Sequence, residues 1–233
     1  MDDVDLRTPV GGASPASHDH PDAAPSAPVT SVLELGVEEL RRIHGPALGD
    51  DVVERIVFES FEDLAASGTD PTHREALAVR FAESRLEALA ELEGAAPRGT
   101  GTPRVLFVCV QNAGRSQLAA ALLAERAGDA VAVASAGSRP SSHIHSTVAP
   151  VLEEIGADPA TVFPKPVSPE LLHAADYVVT MGCGDAVEVG ESTDLRDWPV
   201  GDPSEVDERE LQRIVRDIEA RVDELWAEIS HAA

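Results

Sequence analysis

The sequence predicts an α/β domain with a parallel sheet flanked by helices, preceded by a small all-α three-helix bundle. Three observations support this fold class. Residues 104–233 alternate short apolar runs with amphipathic stretches, as in a sheet covered by helices. Residues 30–94 have helical periodicity throughout. A Gly- and Pro-rich segment, residues 95–103, separates the two regions and predicts a linker.

The N-terminal region predicts three helices that end at glycine and proline residues. The first is expected to stop at Gly45-Pro46, and the second near Gly68. The third begins at Asp70-Pro71, with proline at an early position, and ends at Gly94. Helices of this length form a small bundle, and its charged residues suggest a solvated surface rather than chemistry. Residues 1–29 are acidic, rich in Pro, Ala and Ser, and predict a disordered tail.

The C-terminal region predicts strands and helices in alternation. The apolar runs that predict strands are residues 105–108, 130–135 and 177–180. The helices expected after them are residues 116–127, 148–155 and 204–230. Ligands of parallel sheets bind at the carboxyl ends of the strands. A functional site is therefore expected directly after Val108.

Charge and cysteine content exclude several classes of protein. The chain of 233 residues has 18 Lys and Arg against 42 Asp and Glu, a formal charge of −24, which argues against nucleic-acid and anionic-membrane partners. Lys165 is the only lysine. Two cysteines in so long a chain suggest free thiols rather than a disulfide framework. With no membrane-length apolar run and no apolar signal core, a cytoplasmic location is expected.

The segment after the first predicted strand carries the residues that suggest chemistry. It reads Cys109-Val110-Gln111-Asn112-Ala113-Gly114-Arg115-Ser116. Backbone N–H groups at a helix N-terminus can bind a tetrahedral oxyanion, and the Arg115 guanidinium can donate hydrogen bonds to two of its oxygens. The same positive field favours the thiolate form of Cys109, a nucleophile that Ser116 can support with a hydrogen bond. Gly114 can supply unusual backbone angles, and Asn112 can hold the loop through its amide. The alternative interpretation is a buried structural cysteine beside a helix-capping loop.

This segment resembles the anion loop of the low-molecular-weight protein tyrosine phosphatase superfamily. Within that superfamily, residues 112–117 resemble the arsenate reductase branch. Further segments resemble the family's motifs in the same order, namely residues 135–138, 179–185 and 197–203. The resemblance spans roughly residues 103–230 and implies a low-molecular-weight phosphatase-like fold, arsenate as substrate, and no tightly bound cofactor or metal. The preceding bundle resembles a module of actinobacterial reductases, which implies a homodimer formed through the N-terminal helices.

The resemblance also implies roles for individual residues. Cys109 would attack arsenic, and Asp202 would be the general acid that protonates the departing oxygen. Asp197 and Trp198 would position the loop that carries Asp202. The oxyanion-binding residues would be Val110, Gln111, Asn112, Ala113, Gly114, Arg115 and Ser116. His143 and His145 follow the second predicted strand and are expected to shape the site entrance rather than to react.

Cys183 decides how the reaction would continue after the first step. Related thioredoxin-coupled reductases have the pattern Met-Gly-Cys-Gly-Asp-x-Cys, but Val187 stands where the second cysteine of that pattern is expected. A cascade of three cysteines is therefore impossible. An external thiol can attack the adduct instead, which in an actinobacterium would be mycothiol with mycoredoxin, and this route is favoured. Alternatively, Cys183 forms a disulfide with Cys109 that thioredoxin reduces, or Cys183 is simply structural.

Two other functions remain open on the sequence. Arsenate and phosphate have the same shape and charge, so the loop also fits a low-molecular-weight phosphatase acting on phosphotyrosine or small phosphoesters. Cys183 and the sequence of residues 112–117 favour the reductase over this phosphatase. A non-catalytic oxyanion-binding regulator is disfavoured, because a pure binder needs neither the nucleophile Cys109 nor the acid Asp202.

Overall fold

The computed structural model describes residues 31–94, 102–158, 161–183, 187–190 and 192–232. The predicted tail and most of the predicted linker lie outside the described residues. Residues 31–233 form one compact unit, so the bundle and the sheet can be described together. In the part of the chain that the structure describes, no helix is long and apolar enough to cross a membrane.

The N-terminal region forms the three predicted helices, α1 (Val32–Leu48), α2 (Asp50–Ala66) and α3 (Pro71–Leu92). Ser31 and Glu34 cap the start of α1 with a reciprocal pair of hydrogen bonds. The predicted end of α1 at Gly45-Pro46 is wrong, because the helix continues through Pro46 to Leu48. Proline lacks only one N–H group, and Gly49 N–H donates to the Gly45 carbonyl at 2.8 Å, which closes the final turn.

The sheet has four parallel strands in the order β2-β1-β3-β4. The strands are β1 (Arg104–Cys109), β2 (Ala132–Gly137), β3 (Tyr177–Met181) and β4 (Asp194–Asp197). The second strand begins two residues later than predicted, because residues 128–130 form a 3-10 turn. Strand β4 was not predicted. It is a polar edge strand with no apolar run.

Four helices belong to the sheet region: α4 (Arg115–Ala127), α5 (Ala149–Ile155), α6 (Pro169–Ala174) and α7 (Glu208–Ala232). The short helix α6 was not predicted. Helix α7 begins at Glu208 rather than at the predicted Ser204, because Asp207 accepts a hydrogen bond from Glu210 N–H at 2.8 Å and so caps the helix there. The intervening residues remain in the loop that carries Asp202.

The two faces of the sheet are covered by different helices. Side chains alternate along β1, so Leu106 and Val108 face one core while Val105 and Phe107 face the other. The first core contains buried residues from the three-helix bundle and α6. The second core contains residues from α4, α5 and α7. The bundle is thus part of the packing on one face of the sheet rather than an appendage of it.

Arg85 of helix α3 ties the bundle to the sheet region. Its side chain is 5% exposed and donates to Glu59 at 2.9 Å, to Ser60 at 3.1 Å and to Glu170 of α6 at 3.1 Å. A buried guanidinium requires such partners, because its desolvation is costly. The pairing with Glu170 therefore fixes α3 against α6.

Candidate active site

Cys109 lies at the carboxyl end of the central strand β1, where the topology predicts a ligand site. Its side chain is buried, with 2% of the residue exposed. The chain then turns through residues 110–114 and enters helix α4 at Arg115. The predicted oxyanion-binding residues therefore form one continuous loop around the thiol.

The carbonyl groups of this loop all point outward into hydrogen bonds. Those of residues 109, 110, 111 and 113 accept from backbone N–H groups at 2.8–3.0 Å, donated by Ser138, Arg139, Ser141 and His145. The carbonyls of residues 112 and 114 accept from the Gln117 side chain and from Leu118 N–H. The C=O and N–H of a peptide plane point in opposite directions. The N–H groups of residues 110–115 are therefore turned away from these partners and can bind an anion.

Asn112 holds the loop in its conformation. Its backbone is left-handed, with φ of 49°, and its N–H lies 3.2 Å from the Cys109 Sγ. Asparagine tolerates this region better than most residues. Its side-chain oxygen accepts from Lys165 N–H at 3.0 Å, and its Nδ2 donates to Ser116 Oγ at 2.8 Å. The amide thus holds the loop as predicted.

Gly114 leaves space where the loop that carries Asp202 meets the anion loop. Its φ is negative, and the left-handed residue of the loop is Asn112. A Cβ at position 114 would lie 2.7 Å from Pro203 Cγ and 3.3 Å from His145 Cδ2. Glycine therefore allows the loop that carries Asp202 to approach the anion loop.

Ser116 lies within hydrogen-bond distance of the sulfur. Its Oγ lies 3.0 Å from Cys109 Sγ, and both residues are buried. Because the same Oγ already accepts from Asn112, its own proton is free to point toward the sulfur. A hydrogen bond of this kind stabilises the charged form of an acid, here the thiolate.

Arg115 lies between Asp202 and Gly182. Its Nη2 is 3.0 Å from Asp202 Oδ2. A Cβ at Gly182 would lie 2.8 Å from Arg115 Nη1, and Gly182 has a φ of +78°. Glycine is required at position 182 on both grounds, since a side chain would be strained and would displace the guanidinium.

Asp202 is a carboxylate near neutral pH. Burial raises the pKa of its carboxyl, but hydrogen bonds from Ser204 and the charge of Arg115 outweigh burial, so the pKa lies below its ordinary value. An oxyanion bound by Arg115 would add negative charge beside the carboxylate. Nearby negative charge favours the protonated form, which a general acid needs.

Asp197 and Trp198 position the Asp202 loop through contacts with the sheet. Asp197 accepts from Thr180 Oγ1 at 2.7 Å. Trp198 is buried, and its ring centroid lies 5.7 Å from that of Phe107. These contacts agree with the expected positioning role of both residues.

His145 lies against the loop, whereas His143 bonds elsewhere. Burial lowers the pKa of His145 below its ordinary value, although the Asp202 carboxylate acts in the opposite direction. The backbone N–H of His145 donates to the Ala113 carbonyl. The His143 ring instead pairs with the exposed Ser142 hydroxyl at 2.8 Å. His145 therefore shapes the site, as the sequence suggests.

Cys183 lies within electrostatic reach of Cys109 and Arg115. It follows strand β3 and is 9% exposed. Burial raises the pKa of the Cys183 thiol, and negative charge on Cys109 raises it further, whereas Arg115 lowers it. Both cysteines are free thiols. Residues 184–186 of the segment that resembles the reductases lie outside the described residues.

Sequence reasoning missed Lys165 as part of this site. Its backbone contacts Asn112, 53 positions earlier, which no local pattern reveals. The available signal was that the chain contains only one lysine. Among the residues with described positions, no group of three or more His, Cys, Asp or Glu side chains could hold a metal ion.

The chain belongs to the low-molecular-weight phosphotyrosine protein phosphatase family, whose profile matches residues 104–233. Residues 33–90 match a second family, described as the N-terminal domain of protein-tyrosine-phosphatase-like proteins. These matches agree with the predicted phosphatase-like sheet and with the helical region that precedes it.

Several similar proteins carry arsenate reductase names. The thioredoxin-dependent arsenate reductase Cg_ArsC1′ of Corynebacterium glutamicum is 39% identical and superposes with a TM-score of 0.75, over 87% of this chain and 98% of that one. A Halobacterium salinarum protein assigned as an arsenate reductase is 38% identical over 135 residues, which are 55% of this chain and 94% of that protein. A glutaredoxin arsenate reductase of Synechocystis is 34% identical over 54% of this chain and 98% of that protein.

Proposed function

We propose that this protein reduces arsenate to arsenite through a covalent adduct on Cys109. The observation that carries the proposal is a second buried thiol, Cys183, whose pKa is raised by charge on Cys109, the thiol at the end of strand β1. A phosphatase needs the loop but not the second thiol, whereas a reductase that forms an internal disulfide needs both. The similar proteins named arsenate reductases support the same conclusion.

The first step is substitution at arsenic. The N–H groups of the loop and Arg115 bind three oxygens, and the Cys109 thiolate attacks the arsenic. Asp202 donates a proton to the departing oxygen, which leaves as water. A sulfur–arsenic bond has formed, an arsenic–oxygen bond has broken, and arsenic is still in its +5 state.

The second step transfers the electrons. The Cys183 thiol passes its proton to an arsenic-bound oxygen as its sulfur attacks the Cys109 sulfur. The sulfur–arsenic bond breaks, and its electron pair stays on arsenic. Arsenite is released, and the two thiols are oxidised to a Cys109–Cys183 disulfide. An external dithiol then reduces this disulfide and restores the enzyme.

The proposed reductant is thioredoxin, which replaces the sequence-based preference for mycothiol. Two observations support it: the thioredoxin-dependent relative that aligns with 87% of the chain, and the second buried thiol that an internal disulfide requires. The reaction requires free thiols, so we place the protein in the reducing cytoplasm.

Reconstitution of the reaction tests these proposals. Purified protein and arsenate are supplied with thioredoxin and its reductase, or with mycothiol and mycoredoxin, and arsenite is measured. We expect arsenite with thioredoxin, and its loss in Cys183→Ser. Turnover with mycothiol that survives Cys183→Ser would refute the disulfide route. Rapid phosphoester hydrolysis without arsenite from either system would instead support the phosphatase.

We further propose a homodimer formed through the N-terminal helices. Three apolar side chains on one face of α1 are about half exposed, namely Val32, Leu35 and Ile43. Burial of such a face against a second copy would remove it from water. Leu35→Glu is expected to give a monomer in sedimentation velocity with unchanged circular dichroism, while Glu38→Gln on the same helix leaves the dimer intact. A Leu35→Glu protein that still sediments as a dimer would place the interface elsewhere.

A further inference from the structure

Lys165 is a buried cation whose hydrogen bonds go to backbone carbonyls. It is 7% exposed, and its Nζ donates to the carbonyls of Thr161 and Phe163, both at 3.2 Å. The same Nζ lies 4.3 Å from the centroid of the Phe163 ring. The ammonium therefore stabilises the turn of residues 161–165 by binding two carbonyl groups of that same turn.

This turn is bonded to the anion loop in two places. Lys165 N–H donates to Asn112 Oδ1 at 3.0 Å. The Phe163 carbonyl accepts from Gln117 Nε2 at 2.8 Å, and Gln117 Nε2 also lies 3.1 Å from Asn112 Oδ1. Both contacts converge on the side-chain oxygen of Asn112.

Hydrogen bonds also connect Asn112 to the sulfur of Cys109. Once its oxygen is held by the turn, the Asn112 amide can direct Nδ2 only toward Ser116, whose hydroxyl then faces Cys109. The same residue carries the left-handed backbone that aims its N–H at the sulfur. The orientation of Asn112 therefore sets two of the hydrogen bonds that reach the thiol.

We propose that the Lys165 ammonium is a positioning group for the chemistry at Cys109, acting through the 161–165 turn and Asn112. The proposal rests on Cys109 being the nucleophile of the proposed function. A charged donor holds a carbonyl about twice as strongly as a neutral amine does. Loss of the Lys165 proton therefore loosens the turn and weakens the hydrogen bonds that stabilise the thiolate.

The surroundings of Lys165 allow its ammonium group to lose a proton near neutral pH. Burial lowers the pKa of Lys165 to about 7. Lys165 lines a cavity of about 490 Å³ between α3 and α4, which also contains the charged residues Arg80, Glu83, Glu125 and Asp158. Lys165 therefore changes charge in the working range of pH.

The test is the rate at which iodoacetamide alkylates Cys109, measured by mass spectrometry of its peptide in a Cys183→Ser background. Arsenate is absent, so failure of this proposal is distinguishable from failure of the reductase assignment. At about pH 6.5 we expect Lys165→Met to slow alkylation roughly tenfold, the effect of losing one hydrogen bond to a charged group. The difference is expected to narrow above about pH 7, as the wild-type ammonium is lost.

Two variants separate positioning from simple packing. Lys165→Arg keeps the charge and is expected to recover part of the rate, without the decline above pH 7. Arg80→Met removes a second cation that lines the cavity and should behave as wild type. Equal rates in wild type and Lys165→Met, or a ratio constant with pH, would overturn the proposal. Should Lys165→Met fail to fold, Lys165→Ala with added propylammonium replaces it, and absence of rescue by that cation counts against the proposal.

Discussion

Burial of Lys165 predicts a contribution to stability that grows as the pH rises from neutral to alkaline. The pKa of this amine falls from an ordinary value of 10.5 to about 7 in the folded chain. Between these values the unfolded chain binds more protons than the folded chain. The contribution of Lys165 to the free energy of unfolding must then increase with pH, and this contribution stops increasing above about pH 10.5.

The size of the effect follows from the two pKa values. One proton bound only by the unfolded chain contributes up to about 1.4 kcal/mol per pH unit. From about pH 7.5 to 9.5 the Lys165 contribution therefore grows by about 2 kcal/mol. Lys165→Met has no titrating group at this position and lacks that contribution.

Urea unfolding of the full chain, followed by circular dichroism, measures this contribution. Wild type and Lys165→Met are both unfolded at about pH 7.5 and at about pH 9.5. The change in free energy of unfolding between these pH values is then compared, so the contributions of groups that titrate alike in both proteins cancel. We expect wild type to gain about 2 kcal/mol relative to the variant. If the free energies of unfolding of the two proteins changed equally with pH, the lowered pKa of Lys165 would be wrong. Such a result would mean that the amine titrates at its ordinary pKa in the folded protein.

Three further substitutions test the site and the packing. Gly114→Ala is expected to slow arsenite formation at least tenfold, because its Cβ would meet Pro203 Cγ at 2.7 Å and displace the acid loop. Asp202→Asn is expected to slow adduct formation about a hundredfold in stopped-flow assays, because the departing oxygen loses its proton donor. Arg85→Met is expected to destabilise the chain by about 3 kcal/mol in urea, since Glu170 keeps its charge without its partner.

Each of these has a matched control. Gly190→Ala places a Cβ in ordinary contact, 3.7 Å from Thr193 Oγ1, and should leave arsenite formation unchanged. Glu205→Gln changes a carboxyl near Asp202 in sequence and should not affect the adduct. Arg80→Met changes an exposed arginine of the same helix as Arg85 and should cost little stability. A control variant that lost as much activity or stability as its matched test variant would contradict the contact assigned to the test residue.

The anion loop could be predicted from sequence because its residues are consecutive. A buried strand, a cysteine, a short turn and a helix N-terminus dictate one another's positions, so Cys109, Arg115 and Ser116 fall where the pattern places them. Asp202 required the resemblance to a family, since an isolated Asp-Pro is an ordinary turn. Its approach to Arg115 spans 87 positions and depends on the space left by Gly114.

Other features could not be predicted, for physical reasons. Strand β4 has a polar sequence because it lies at the sheet edge, so it lacks the apolar run that marks a buried strand. The end of α1 is set by a backbone hydrogen bond of Gly49 rather than by the conformational preference of Pro46. The linker pattern predicts a boundary between two regions, but it does not reveal that side chains such as Arg85 and Leu106 belong to packing shared between them. Long-range contacts of this kind have no local sequence signal.

The measurement that tests the central claim most directly is a single turnover without added reductant. Fully reduced protein is mixed with excess arsenate, the remaining thiols are alkylated, and arsenite and the cysteine peptides are quantified. The disulfide mechanism predicts one arsenite and one Cys109–Cys183 disulfide per chain. Thioredoxin with its reductase is expected to reduce this disulfide. No arsenite, or an adduct on Cys109 that persists with Cys183 still reduced until mycothiol is added, would contradict it.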